Sequence, residues 1–132
     1  MIKASKVLLV DDEQELLENL SFDLRDTVEE LFFATNGRDA LEIYQEYQSE
    51  ISCIITDIKM PKMNGLQFIS KIRELSQTVP VIFLTAHGDQ EQMKLALSLN
   101  AFDFISKPYD LWELKEALHS IYNTPLDSVK AS

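Results

Sequence analysis

The run VLLVDD at residues 7–12 places four consecutive apolar residues directly before two acids. Apolar side chains at every position, rather than at every second one, are typical of a strand buried on both faces of a parallel sheet. Four further short apolar runs follow it, at residues 31–34, 51–55, 79–84 and 102–105. The sequence therefore predicts five buried strands.

Amphipathic stretches separate these runs, with apolar residues recurring at helical spacing. The stretch at 93–100 is the weakest, and there Met93 and Leu97 are expected to pack on the sheet. Strand and helix alternate five times, which predicts a single doubly wound α/β domain. Three helix starts carry a capping residue with an acid or amide three positions later: Asn64 with Gln67, Asp89 with Gln92, and Asp110 with Glu113.

Composition excludes several classes of protein. The chain has 132 residues and a formal net charge of −10, which argues against binding nucleic acids or an anionic membrane surface. Its single cysteine, Cys53, cannot form an intramolecular disulfide and fits a reducing compartment, where we expect it to be an inert core residue. No apolar run approaches the ~20 residues of a membrane span, and the first residues do not resemble a signal peptide. These features predict a soluble cytoplasmic domain.

Polar residues follow four of the predicted strands. Asp11 and Asp12 follow the first strand, Asp57 the third and Thr85 the fourth, while Lys107 lies just past the fifth. Open α/β sheets bind ligands at this edge. Alone, an aspartate pair could simply cap the next helix, and a lysine could simply be solvated. Together, these residues predict a functional site.

The chemistry of the site depends on the strand order. If that order is 2-1-3-4-5, Asp11, Asp12 and Asp57 follow neighbouring strands about 4.8 Å apart. Two carboxylates ~5 Å apart repel by about 3 kcal/mol at an effective dielectric near 20, so a cation is needed. Lys107 is one candidate and Mg²⁺ is the other. A carboxylate beside Mg²⁺, a hydroxyl and an ammonium is chemically suited to accept a phosphoryl group.

The chain resembles the receiver domains of two-component response regulators over residues 5–122. The motifs that carry the resemblance are VDD at 10–12, TDIKMP at 56–61 with MNG at 63–65, TA at 85–86 and KP at 107–108. The resemblance implies a flavodoxin-like (βα)5 domain over residues 1–122, with a five-stranded parallel sheet in the order 2-1-3-4-5. Residues 123–132 are then a tail or the start of a linker.

The resemblance also implies roles for the matched residues. Asp57 would accept the phosphoryl group, and Lys107 would pair with that group through its ammonium. Mg²⁺ would be held by Asp11, Asp12, Asp57 and the backbone carbonyl of Lys59. The peptide bond that follows Lys107 would be cis.

Five residues concern switching, the lifetime of the phosphoryl group or contact with a partner. Thr85 would hydrogen-bond the phosphoryl group, and Phe104 would follow it inward, which biases the face built from the fourth helix, fifth strand and fifth helix. Lys59 and His87 occupy positions that tune the lifetime of the phosphoryl group. Trp112 is expected to point away from the apolar stripe of the last helix, either as a partner contact or packed flat against a neighbour.

The implied function is a phosphorylation-driven switch that takes its phosphoryl group from a histidine kinase or histidine phosphotransfer protein. It would control a downstream protein or output domain, and it would catalyse only its own phosphorylation and dephosphorylation. The resemblance also allows a phosphorylation-dependent homodimer.

Two other functions stay open. A scaffold of the same fold would act without phosphorylation. A small phosphatase of the haloacid dehalogenase type would need a second aspartate where Lys59 stands. A nucleotide-binding Rossmann domain is disfavoured, because the first strand is followed by DDE and not by a glycine-rich G-x-G-x-x-G turn.

Overall fold

A computed structural model describes residues 4–86 and 90–123, in which five strands alternate with five helices. The strands are β1 (Ala4–Val10), β2 (Val28–Ala34), β3 (Cys53–Asp57), β4 (Val81–Thr85) and β5 (Asp103–Ser106). The helices are α1 (Gln14–Asp23), α2 (Gly37–Tyr47), α3 (Gly65–Leu75), α4 (Gln90–Ser98) and α5 (Leu111–Asn123). The strands are parallel in the order β2-β1-β3-β4-β5, which confirms the predicted fold.

The sheet is covered on both faces, as consecutive apolar residues predict. In β1, Leu9 packs with α1 and α5 on one face, while Leu8 packs with α2, α3 and α4 on the other. Every residue of β3 and β4 is buried. Within the described residues, no helix is both long and apolar enough to span a membrane.

The edge strand β2 begins earlier than the apolar run at 31–34 indicates. Its first residue is Val28, and the exposed Glu29 and Glu30 follow. A strand at the edge of a sheet tolerates such charges, because one side of it faces solvent. The apolar pattern therefore does not show where this edge strand begins.

The side chains of α4 differ from the expectation that Met93 and Leu97 both pack on the sheet. Its buried residue is Ala96, whereas Met93 is half-buried and Leu97 is 61% exposed. Packing of Leu97 on the sheet was therefore a wrong prediction. Because consecutive helical residues lie about 100° apart, a helix that turns Ala96 toward the sheet turns Leu97 away from it. Asn100 lies beyond the helix with a φ of 64°, a left-handed conformation that asparagine adopts readily.

Helix caps follow the sequence pattern where the structure describes them. The Asn64 side chain accepts a hydrogen bond from the Gln67 N–H at 2.8 Å, and the Gln67 side chain accepts one from the Asn64 N–H at 3.0 Å. Asp110 accepts a hydrogen bond from the Trp112 N–H at 2.9 Å. Asp89, the third predicted cap, lies outside the described residues.

Cys53 lies fully buried in β3, as expected of a core residue. Burial raises the pKa of its thiol, because an apolar environment penalises the thiolate. The thiol therefore stays protonated and unreactive at neutral pH.

Candidate functional site

The carboxyl ends of the strands bring the predicted polar residues to one edge of the sheet. Since β1, β3 and β4 run in register, Asp11, Asp57 and Thr85 reach that edge together, and all three are buried. Lys107 follows β5, and its backbone N–H donates to the Thr85 carbonyl oxygen at 2.8 Å. The peptide bond from Lys107 to Pro108 is cis, as the family pattern predicts.

Three carboxylates form a compact acidic group. Asp11, Asp12 and Asp57 each offer an oxygen, and these oxygens lie within 4.8 Å of one another. Asp11 and Asp57 are buried, whereas Asp12 is exposed and leaves one side of the group open to solvent. Two buried acids beside an exposed one are costly without a cation, and they have the oxygen-only chemistry that Mg²⁺ prefers.

The two buried acids each use one carboxylate oxygen to accept a backbone hydrogen bond. Asp11 Oδ1 accepts the Glu13 N–H at 2.9 Å, and Asp57 Oδ1 accepts the Ile58 N–H at 2.7 Å. Within the part of the chain that the structure describes, the buried Asp11 Oδ2 accepts no hydrogen bond of good geometry. The Oδ2 atoms of Asp11 and Asp57 both face the Lys107 ammonium, and such clustered anionic oxygens are also the ligands that a hard metal ion prefers, so this group could hold one.

Lys107 is the cation that the chain itself supplies. Its Nζ lies 2.7 Å from Asp11 Oδ2, 2.9 Å from Asp57 Oδ2 and 3.2 Å from Glu13 Oε1. Burial opposes the ammonium charge, but the contacts with Asp11 and Asp57 outweigh it and raise the pKa of Lys107. At Asp11 the balance is reversed, because burial raises its pKa more than Lys107 and the Glu13 N–H lower it.

Glu13 is a site residue that the sequence analysis missed. It is exposed, and its contact with Lys107 joins residues that lie 94 positions apart. The signal for it was its place in the acid run DDE, directly after the strand end. The run DDE does not indicate that Glu13 forms an ion pair with Lys107.

The predicted switch residue, tuning residues and Trp112 differ in how much of their surface is exposed, where the structure describes them. Phe104 is half-buried on β5, with its ring stacked against Phe83 at a centroid distance of 6.1 Å. Lys59 is exposed on the loop after β3. His87 lies outside the described residues. Trp112 is 70% exposed on α5, so its outward direction is confirmed and little of its surface is covered by neighbours.

Comparison with known proteins agrees with the site geometry. The family model of the response regulator receiver domain matches residues 7–119. The chain is 34% identical over 114 residues to the regulatory protein AtoC of Escherichia coli, covering 86% of this chain and 24% of AtoC. It is 35% identical over 122 residues to the chemotaxis protein CheY of Halobacterium salinarum, covering 89% of this chain and 97% of that CheY. The chain thus spans about a quarter of one relative and nearly all of another.

A solved structure gives the same result for the fold. A receiver domain protein from Clostridium thermocellum superimposes with a TM-score of 0.85 at 34% identity, covering 90% of this chain and 94% of that one. Receiver domains are signalling domains that bind Mg²⁺ at an acidic pocket and interact with histidine kinases and output proteins. With its five-stranded sheet and its acidic site at the strand ends, this chain belongs to the response regulator receiver domain family of two-component signalling.

Proposed function

We propose that this chain is a phosphorylation-dependent switch in which Asp57 accepts a phosphoryl group from a phosphohistidine. The supporting observation is that the buried Asp57 carboxylate has its Oδ2 2.9 Å from the Lys107 ammonium, in an acidic group that is open to solvent at Asp12. An oxygen of Asp57 would attack phosphorus, and the P–N bond to the donor histidine would break, leaving its electron pair on the imidazole nitrogen. That nitrogen takes up one proton from solvent as the P–N bond breaks, so neutral histidine is released and the phosphoryl group is held on Asp57 as an acyl phosphate.

The neighbouring residues have complementary tasks in this proposal. Lys107 donates to an oxygen of the transferred group, since it already lies between Asp11 and Asp57. Thr85, buried at the end of β4, presents a hydroxyl on the same edge. Mg²⁺, held by Asp11, Asp12, Asp57 and the Lys59 carbonyl, would neutralise phosphoryl oxygens when bound. Lys59 and His87 would tune how long the phosphoryl group survives.

The output would be carried by the surface built from α4, β5 and α5. Phe104 on β5 and the exposed Trp112 on α5 belong to this surface. Phosphorylation would change its affinity for a downstream protein, an output domain or a second copy of the chain. The phosphoryl donor would be a histidine kinase or phosphotransfer protein, and the location cytoplasmic.

The direct test is the intact mass of the protein after incubation with acetyl phosphate. We expect a gain of one phosphoryl group with MgCl₂, little gain with a chelator, and loss of the group in hydroxylamine, which cleaves acyl phosphates. Phosphoramidate serves as a second donor, since it also carries a transferable phosphoryl group. No gain with either donor in MgCl₂ would instead leave a scaffold that acts through binding alone.

Substituting Asp11 tests the metal site without phosphorylation. In a chelator at neutral pH, Asp11→Asn is expected to raise the thermal midpoint by about 3 °C, because burial makes the charged carboxylate costly. The sign follows from the raised folded pKa: such a carboxyl stabilises the fold at low pH, and that stability is lost as the pH rises through the folded pKa. Differential scanning calorimetry gives both midpoints.

Adding MgCl₂ should reverse the order of the two proteins. A cation that binds only the folded state stabilises the native protein and so raises its thermal midpoint. At a free cation concentration 100 times the dissociation constant, this stabilisation is about 2.7 kcal/mol. Asp11→Asn should respond weakly, whereas Asp39→Asn, at an exposed position on α2, should respond like the native protein. Equal responses of all three proteins would contradict the assigned metal ligands.

A further inference from the structure

Arg73, in the last turn of α3, joins two loops through backbone carbonyls. Its Nη1 donates to the carbonyl oxygens of Ser76 at 3.1 Å and Val79 at 2.9 Å, which belong to the connection from α3 to β4. Its Nε donates to Leu99 at 2.8 Å, and its Nη2 donates to Asn100 at 3.1 Å. One side chain therefore fixes the connection between α3 and β4 to the end of α4.

The guanidinium is well suited to this task. Its donors form a rigid planar fork that can serve several acceptors at once, and it stays charged although burial lowers the pKa of Arg73. The carbonyls of Leu99 and Asn100 lie directly beyond the C-terminal end of α4, where a positive charge is favourable. Hydrogen bonds to a charged donor are stronger than neutral ones.

Apart from that end, α4 is loosely held. Among the side chains of α4 that the structure describes, Ala96 is buried and Met93 half-buried, while Leu95 is 58% and Leu97 61% exposed. A groove of about 380 Å³ separates α3 from α4, with Leu66 and Ser70 on one side and Leu95 on the other. Alanine is a small apolar anchor, so the hydrogen bonds from Arg73, together with the packing of Leu99 on the core, hold the C-terminal end of the helix.

We propose that Arg73 is a positioning residue that makes the C-terminal end of α4 a fixed point, about which the N-terminal end moves. The helix begins five residues after Thr85, so a change at the phosphorylation site reaches its N-terminal end first. The groove beside α3 leaves room for that displacement. The movement of the N-terminal end on phosphorylation rests on the proposed function. The fixing of the C-terminal end by Arg73 does not.

Amide hydrogen exchange read by mass spectrometry tests the fixed end in the unphosphorylated protein. The reporters are the N–H groups of residues 99–102, all of which are hydrogen-bonded to carbonyl oxygens. Arg73→Met keeps an unbranched apolar stem and is expected to speed their exchange about tenfold, with much smaller changes in β1 and β3. Lys71→Met, on α3 and beside the same groove, is the matched control and should exchange like the native protein.

The same measurement with acetyl phosphate and MgCl₂ tests the pivot. In the native protein we expect phosphorylation to change exchange in the first half of α4 and to leave residues 99–102 unchanged. In Arg73→Met the change should extend to residues 99–102, which a merely structural loss would not produce, because it would raise exchange equally in both states. Arg73→Lys, with a cation but no fork, should recover only part of the native protection.

The outcomes separate the two proposals. A rise in exchange spread evenly over the chain, or no rise at residues 99–102, would overturn the role of Arg73. A phosphorylation-dependent change at both ends of α4 in the native protein would also overturn it. If intact mass shows no phosphoryl group on the native protein, the proposed function fails, while the unphosphorylated comparison still decides whether Arg73 holds the end of α4.

Discussion

Asp57→Asn is expected to take up phosphoryl groups from acetyl phosphate at least about 100-fold more slowly than the native protein. A neutral amide oxygen is a far weaker nucleophile than a carboxylate, and a 100-fold loss corresponds to about 2.7 kcal/mol of barrier. Lys107 keeps two anionic neighbours in this variant, Asp11 and Glu13, so the ammonium is not left unpaired. The loss should therefore reflect the missing acceptor rather than a collapsed site. Intact mass over a time course gives both rates.

Two comparisons make this result specific. Asp39→Asn changes an exposed aspartate on α2 in the same way and should take up phosphoryl groups at the native rate. Thermal unfolding in a chelator should show Asp57→Asn at least as stable as the native protein, because one of three crowded carboxylates has been neutralised. Native-rate uptake by Asp57→Asn would assign the acceptor to another residue and would refute the proposed role of Asp57.

The sequence predicted the site because in-register parallel strands end together. Asp11, Asp57 and Thr85 each follow an apolar run, so knowledge of the strand order was enough to place them side by side. Apolar runs also located β3 and β4 within two residues at each end, since every residue in these two strands is buried. Burial on both faces leaves a pattern that a single sequence displays.

Other contacts depend on side-chain reach, which leaves no such pattern. Glu13 meets Lys107 through two long side chains whose residues lie 94 positions apart in the sequence. In the sequence, Arg73 is indistinguishable from an ordinary cation in the last turn of a helix. The sequence does not show its four carbonyl partners, because they lie in two separate loops. The rotation of α4 was also missed, because small Ala96 rather than Leu97 faces the sheet. In each case the deciding information is three-dimensional.

Gly65→Ala is expected to destabilise the fold by about 3 kcal/mol or more, although alanine ordinarily strengthens a helix. Gly65 is the first residue of α3, and its N–H donates to the Ile58 carbonyl oxygen at 2.7 Å. A Cβ there would overlap the carbonyl oxygen of Asp57 and lie 2.9 Å from its carbonyl carbon. These are backbone atoms, so no side-chain rotation relieves the overlap. Urea denaturation followed by circular dichroism measures the loss.

A graded series distinguishes this overlap from a general effect of substitution. Gly37→Ala places its Cβ 2.5 Å from the Met63 carbonyl oxygen, so a smaller loss is expected, and Ser70→Ala on the exposed side of α3 should change stability by less than about 0.5 kcal/mol. Equal stability of Gly65→Ala and Ser70→Ala would show that the helix start can shift freely. Because the backbone that Gly65 contacts is that of Asp57, displacing it moves the acceptor away from Lys107. Folded Gly65→Ala should therefore also take up phosphoryl groups more slowly than Ser70→Ala. The absence of a Cβ at Gly65 would then be needed both for the stability of the fold and for the geometry of the site.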